Sequence, residues 1–319
     1  MSHTLTVTVP GTTANLGPGF DCIGAALSLY NILRFSAPED TETPVQITVH
    51  GTESDRVVTD DRNLVYQAFA KFYAHLGKTP PPVQIDIELG VPLARGLGSS
   101  ATAIVGGLVG ANAFAGNPLS EAEIVRLAIA MEGHPDNVVP ALLGGSQLSA
   151  TNGDNWEICE IPWHDAIVPV VAIPDFELST AAARRVLPEK YTRADAIFNT
   201  AHLGLLLRGL ETGRGDWLRI AMQDKIHQPY RKSLIRGFDE VREAALDAGA
   251  YELAISGAGP TLLALTNPAH APRVAEAMEA AWRACEVGVE VRSLQLDTEG
   301  AVCGEWGVGS GEWGVGSRQ

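Results

Sequence analysis

Residues 92–101 read Pro-Leu-Ala-Arg-Gly-Leu-Gly-Ser-Ser-Ala, a glycine-rich turn that runs directly into small and hydroxylated residues. Glycine lets a backbone bring several N–H groups close to an anion, a helix start adds about half a positive charge, and a serine hydroxyl can reach phosphate or metal. The segment predicts a phosphate-holding loop that opens a helix from about Ser100 to Ala115. The same letters also suit a tight turn before a buried helix.

Two better-known phosphate motifs do not fit. A P-loop needs GxxxxGK[ST], and no lysine occurs between Lys78 and Lys190. Gly96, Gly98 and Ala101 match a dinucleotide fingerprint in letters, but the strand expected before them ends near Leu89, and Gly90 to Arg95 intervene where the turn should be immediate. The uncharged run from Gly96 to Ser120 is long enough to cross a bilayer. Its glycines, with Ser99, Ser100, Asn112 and Asn117, dilute it, and neither an aromatic belt nor a basic flank marks its ends, so a buried helix is expected and no membrane partner.

Working outward, the length of 319 residues fits two domains of about 150 each. Hydrophobic residues at 45% and charged residues at 19% are ordinary for a globular protein. A net charge of −15 opposes nucleic acid as a partner, so any phosphate must be held by local amides, a metal ion and a few placed arginines. Cys22, Cys159, Cys285 and Cys303 are scattered and show no CxxC spacing, which reads as free thiols. Met1 to Asn15 lacks a basic start followed by an apolar stretch, so a cytoplasmic location is expected.

Residues 4–9 (TLTVTV) alternate as a strand, which the segment PGTTANLGPGFD is expected to break at once. Strands are expected at about 21–35, 45–50 and 83–89, with a helix at 63–76. A helix from Ser120 to about Glu132 starts with a capping box formed by Ser120 and Glu123. Further on come a strand at 166–173, helices near 180–185, 194–211, 234–248 and 272–285, and strands at 251–256, 261–265 and 290–296. The pattern is α+β, divided as 1–160, 161–303 and a tail, 304–319, that repeats GEWGVGS and is expected to be flexible.

PLARGLGSSATA at 92–103 resembles the phosphate loop of the GHMP kinase superfamily, VPGTTANLGPGFDCIGAALSLYN at 9–31 its first motif and ISGAGPTL at 255–262 its third. Within it, TANLGPGFD at 13–21, EGHPDNVVPALLGG at 132–145, STAAARRVLP at 179–188 and PYRKSLIRGF at 229–238 are similar to the homoserine kinase family. The resemblance implies a two-domain GHMP kinase architecture: an N-terminal domain like ribosomal protein S5 domain 2, and a ferredoxin-like C-terminal domain. It also implies ATP and Mg²⁺, L-homoserine as the small-molecule substrate, and a cleft between the domains; a homodimer is compatible with it.

Homoserine is a zwitterion with a primary hydroxyl, so its site needs an acid for the ammonium and an arginine for the carboxylate. By resemblance, Asn15 and Asp21 hold the amino end, Arg184 and Arg231 the carboxylate, and His134 adds a polar contact. Taken singly, Asn15 and Asp21 also suit turns, the arginines a solvated surface and His134 a loop; Arg185 competes with Arg184. Ser100 and Glu132 are the expected metal ligands, since Mg²⁺ takes one or two protein oxygens beside phosphate and water. The nucleotide is expected along Pro92, Leu93, Ala94, Arg95, Gly96, Leu97, Gly98, Ser99, Ser100 and Ala101. Its adenine is expected near Asn63 and Leu64, though a capped helix start explains those two letters as well. Gly257 and Gly259 let the C-terminal backbone approach the loop, or simply make a hairpin turn. Asp136, Asn137 and Thr180 are the candidate neighbours of the transferred phosphoryl group, with no residue required as a general base. The alternatives are a GHMP kinase of the mevalonate-pathway type and a non-catalytic nucleotide-binding relative.

Overall fold

The computed structural model describes residues 4–39, 42–153 and 155–305. The GEWGVGS repeat lies outside them apart from its first two residues. Strand β1 (Leu5–Ala14) does not stop at residue 10 as its sequence suggests. It pairs with β2 (Ile23–Ser36) along its length, and the register shifts between Pro10 and Gly11. A bulge accommodates a proline that has no N–H to give the ladder, so the strand survives the residues that read as a break. Gly11 is needed there, because a Cβ would stand 3.1 Å from the Val91 side chain and 3.2 Å from the Leu97 carbonyl. The strand thus runs directly beneath the glycine-rich loop.

The first sheet has the order β11 (Val302–Glu305), β1, β2, β4 (Val83–Glu88), β3 (Val45–His50), with β3 and β4 parallel. A hairpin of β5 (Ser146–Asn152) and β6 (Asn155–Ile161) extends it from the start of β2. Four helices pack against this sheet: α1 (Leu64–His75), α2 (Ser99–Phe114), α3 (Glu121–Glu132) and α4 (Pro135–Leu143). Their shared core includes Phe35, Phe69, Phe72, Val105, Leu108 and Val138. Helix α2 is apolar around most of its circumference, as a helix enclosed on several sides must be. Gly107 and Gly110 make that enclosure tight, with the Val65 carbonyl and the Phe35 ring each 2.3 Å from where a Cβ would sit. The capping box of α3 forms as expected, Ser120 donating from its N–H and its hydroxyl to Glu123 at 2.9 and 2.6 Å.

The second sheet has the order β10 (Val289–Ser293), β7 (Val168–Pro174), β9 (Leu262–Thr266), β8 (Glu252–Ile255), all antiparallel. Numbered from β7 in chain order this is 4-1-3-2, the ferredoxin-like arrangement. Helices α9 (Phe238–Ala248) and α10 (Ala271–Ala284) cover one face through Val241, Val274, Met278 and Trp282. Between β7 and β8 the chain also forms α5 (Thr180–Arg185), α6 (Arg193–Thr212), α7 (Gly215–Ala221) and α8 (Gln228–Arg231). The sheet's other face contributes Val171, Leu263 and Leu265 to a core with Leu206, Leu210, Leu218 and with Leu16, Ile23 and Leu27 of the first half. Each such side chain contributes about 1.5–3 kcal/mol on burial, so the halves are joined by a true core and the cleft above it has a firm floor.

Several elements were not expected from sequence: α4, the β5–β6 hairpin, α7, α8 and β11. Helix α4 carries Pro140 inside it, which masks the pattern. Pro140 lacks the N–H that would bond the Asp136 carbonyl, and that carbonyl instead packs so close to Gly24 that a Cβ there would lie 1.7 Å away. Strand β11 is only four residues long and is called into being by β1, with which it pairs. Among the described residues, no helix is long and apolar enough to cross a membrane.

Candidate active site

The glycine-rich loop is gripped from two sides. Thr12 N–H on β1 donates to the Leu97 carbonyl at 3.0 Å. From the second half, Ser256 Oγ donates to the Gly96 carbonyl at 2.7 Å and Thr261 N–H to the Arg95 carbonyl at 3.2 Å. Ala94, Gly96 and Gly98 all have positive φ (53°, 77° and 71°). At Gly96 a Cβ would meet the Ser256 carbonyl at 2.3 Å, and at Gly98 the Thr12 hydroxyl at 2.1 Å. The loop then enters α2, whose first internal hydrogen bond runs from Thr102 N–H to the Gly98 carbonyl at 2.9 Å. The N–H groups of Ser99, Ser100 and Ala101 are those that helix geometry leaves without an acceptor, and the loop presents them at the positive end of the helix dipole.

Behind the loop lies Asn31 on β2, a buried asparagine that sequence reading passed over. Its Oδ1 accepts from the N–H groups of Gly90 and Val91 at 2.9 Å, and its Nδ2 donates to Thr102 Oγ1 at 2.8 Å, tying the loop's approach to the helix it feeds. Arg95, the loop's one cation, donates to the carbonyls of Leu93, Pro174 and Asp175 at 2.9, 2.9 and 3.2 Å. It also pairs with Glu177 at 3.2 Å. Its guanidinium therefore fastens the loop to the end of β7.

A cavity of about 340 Å³ opens in front of the loop. Its lining gathers Asn15, Asp21, Ala94, Arg95, Gly96, Gly98, Ser99, Ser100, Glu132, His134, Asp136, Asn137, Thr180, Arg184, Arg231, Gly257 and Gly259, residues that sequence reading singled out separately. Asn63 and Leu64 are not among its lining, nor are Pro92, Leu93, Leu97 and Ala101. Asn63 is buried and caps α1, accepting from Val65 N–H at 2.9 Å and donating to the Val58 carbonyl at 2.7 Å. Of the adjacent arginines, Arg184 lines the cavity and Arg185 is exposed outside it.

At one end of the cavity Ser100 Oγ donates to Glu132 Oε1 at 2.6 Å. Both are hard oxygen donors that face the same end of the cavity, the ligand type magnesium takes, and an octahedron built at about 2.1 Å would set them about 3.0 Å apart, with the metal replacing their hydrogen bond. Beside them Asp136 and Asn137 open α4, both buried. Asn137 Oδ1 accepts from Thr12 Oγ1 at 2.8 Å, and its Nδ2 lies 3.3 Å from Asp136 Oδ1. His134 Nδ1 sits 2.5 Å from Asp136 Oδ1, and this bond raises the His134 pKa above its ordinary value despite the opposing effect of burial.

At the other end Arg184 makes two parallel bonds to Asp21, 2.9 and 2.8 Å. Arg231 is almost wholly buried and donates to the carbonyls of Ala183 and Gly257 at 3.2 and 3.0 Å. Burial first, then the neighbouring Arg184, pushes its pKa down. Asn15 fastens loops together, donating to the Gly257 carbonyl at 2.8 Å and accepting from Asp21 N–H at 2.9 Å. Asn15 and Asp21 have positive φ (73° and 58°), a conformation asparagine and aspartate tolerate best among non-glycine residues. Cys22, next in the chain, is held protonated: burial, then Asp136 and Asp21, push its pKa up to about 11. None of the four cysteines forms a disulfide.

The cavity thus sets an acid and two arginines at one end and a helix start at the other. The GHMP kinases N terminal domain model matches residues 63–145 and the GHMP kinases C terminal model residues 206–284. The homoserine kinase of Trichormus variabilis is 66% identical over 297 residues, covering 93% of this chain and 98% of the relative. That of Nostoc punctiforme is 67% identical over 297 residues, covering 93% and 97%. The crystal structure of homoserine kinase from Cytophaga hutchinsonii superposes with a TM-score of 0.86 at 30% identity, covering 94% of this chain and 97% of that one. With sequence, fold and cleft in agreement, the chain belongs to the homoserine kinase family of the GHMP kinases, ATP-dependent enzymes that act on small molecules.

Proposed function

We propose that the chain transfers the γ-phosphoryl group of ATP to the side-chain hydroxyl of L-homoserine, giving O-phospho-L-homoserine for threonine biosynthesis. The observation that carries this reading is the meeting, in one cavity, of a helix-start loop with the charge set of a zwitterion site: Asp21, Arg184 and Arg231. Main-chain N–H groups at Ser99 to Ala101 would hold the phosphates in place of a lysine. Adenine would lie toward Asn63 and Leu64, since Gly107 draws the first turn of α1 against α2. Asp21 would take the ammonium, with Asn15 fixing its backbone, and Arg184 and Arg231 the carboxylate. Asp21 and Arg184 satisfy each other, and the zwitterion would exchange that pair for one bond to each.

Ser100 and Glu132 would hold Mg²⁺, which when bound offsets the charge of the phosphate oxygens. Catalysis would rest chiefly on positioning and charge neutralisation, with Thr180 and Asn137 beside the transferred group. Asp136 is engaged with His134 and Asn137, which suits a carboxylate that orients its neighbours more than one free to take a proton. A cytoplasmic location and a homodimeric state belong to the same reading.

The test is ADP release measured with a panel of primary alcohols. Homoserine should support turnover; mevalonate, which lacks an ammonium group, should not. Turnover with mevalonate and none with homoserine would replace the substrate, and ATP binding without ADP release on any alcohol would replace the activity.

A further inference from the structure

Beneath the charged end of the cavity lies a buried polar cluster that the proposed reaction does not use directly. His227 is fully buried, at the start of α8. Its Nε2 stands 2.9 Å from the Gly17 carbonyl, in the loop that carries Asp21. A carbonyl can only accept, so Nε2 carries the proton, and a neutral ring then has a bare lone pair at Nδ1. That nitrogen faces Arg231 NH1 at 3.5 Å. Burial, ahead of every other influence, pushes the His227 pKa below 6.5; Asp224 opposes this and Arg231 adds to it.

The backbone of the same segment is fixed by Asp224, whose buried carboxylate accepts from Asn199 Nδ2 and from the N–H groups of Ile226, His227 and Gln228 at 2.7 to 3.0 Å. Four donors saturate that carboxylate, so His227 is free to serve Gly17 and Arg231. Phe20 completes the arrangement. Its ring stacks on His227 at 5.1 Å between centroids, and the guanidinium groups of Arg231 and Arg184 lie 5.0 and 5.7 Å from its centroid. One aromatic ring thus lies against both guanidinium groups, whose mutual repulsion contributes to the lowered Arg231 pKa.

We propose that His227 and Phe20 are positioning residues for the amino-acid substrate: the histidine locks the Asp21 loop to Arg231 through its two ring nitrogens, and the phenylalanine sets the separation of Arg184 and Arg231. The proposal rests on the homoserine reading of the cavity, and it concerns that substrate alone, because neither residue lines the phosphate loop.

The test separates the two ring nitrogens. His227→Leu removes both contacts and should raise the KM for homoserine about tenfold or more, the effect of losing a hydrogen bond to a charged group, with the KM for ATP nearly unchanged. His227→Asn places an oxygen where Nδ1 stood and should recover part of that loss. Phe20→Leu, at a half-buried position where folding is less at risk, should raise the homoserine KM about threefold with the same selectivity. Equal rises for both substrates, or a lowered melting temperature with both KM values unchanged, would show a merely structural role and overturn the proposal. Nitrogen NMR of the wild type at pH 7 should find His227 neutral and protonated at Nε2; a charged ring overturns the proposal as well. If the wild type itself gives no turnover with homoserine, the reading of the cavity fails, while the NMR result still judges the His227 arrangement.

Discussion

The two ends of the cleft are built from different material. At the loop end main-chain N–H groups and glycines, held by Thr12, Asn31, Arg95 and Ser256 from behind, face the cavity beside the Ser100–Glu132 and His134–Asp136 pairs. At the far end they are charged side chains, Asp21, Arg184 and Arg231, delivered by three separate segments and engaged with one another or with carbonyls. The loop end is therefore preformed: its dipoles are fixed by the fold and need no exchange of partners when an anion arrives. The charged end is satisfied internally, and a ligand must take over bonds already made. Damage to the first should cost folding and nucleotide together, and damage to the second should cost the amino-acid substrate alone.

Gly96→Ala should have the largest effect. It combines a positive φ of 77° with a methyl group 2.3 Å from a carbonyl of the other half. A stability loss of about 3 kcal/mol or more in urea unfolding, with loss of ATP-dependent turnover, is the expected outcome. Wild-type stability would break the view that both halves grip the loop. Next, Arg231→Ala should raise the homoserine KM by about 10- to 150-fold, the equivalent of roughly 1.5–3 kcal/mol, with the ATP KM changed by less than about twofold. Parallel losses for both substrates would erase the division between the two ends.

Ser100→Ala changes the loop end beside Glu132. It should raise the Mg²⁺ concentration for half-maximal rate by about 3- to 10-fold, and an unchanged titration would remove the hydroxyl from the metal site. The smallest effect concerns pH. Asp136 raises the His134 pKa above 6.5, so the charged pair stabilises the folded protein fully below that value and less as pH rises through the raised one. The stability difference between wild type and His134→Gln should thus be greatest near pH 6 and shrink toward about pH 9. A difference that stays constant over that range would mean that His134 contributes by packing and not by charge.

Much of the site was legible because its chemistry is local. The loop at 92–101 shows its glycines, its serines and the helix that follows in a single window, and Ser120 with Glu123 shows a cap in four residues. The partners that hold the site were not legible. Thr12 read as part of a glycine-rich break and Asn31 as an ordinary strand residue, and nothing in the local sequence links them to residues 97, 102 or 137. Phe20 and His227 lie 207 positions apart and acquire meaning only by stacking. A buried asparagine in an apolar strand is the one signal that could have pointed to Asn31. Strand β11 escaped for the same reason as the clamps: four residues with no pattern of their own become a strand only because β1 offers them an edge.

By itself the sequence determined the glycine-rich turn and the helix start that follows it, since the glycines, the serines and the apolar helix residues are neighbours along the chain. Which side chains meet at the other end was decided by the tertiary structure. Asp21, Arg184 and Arg231 belong to three different segments, and only the core shared by the two halves brings their charges to the wall of a single cavity. The physical reason is one of range. Conformational preference acts over a few residues, whereas charge recognition acts through space, and only a packed interior fixes distances through space.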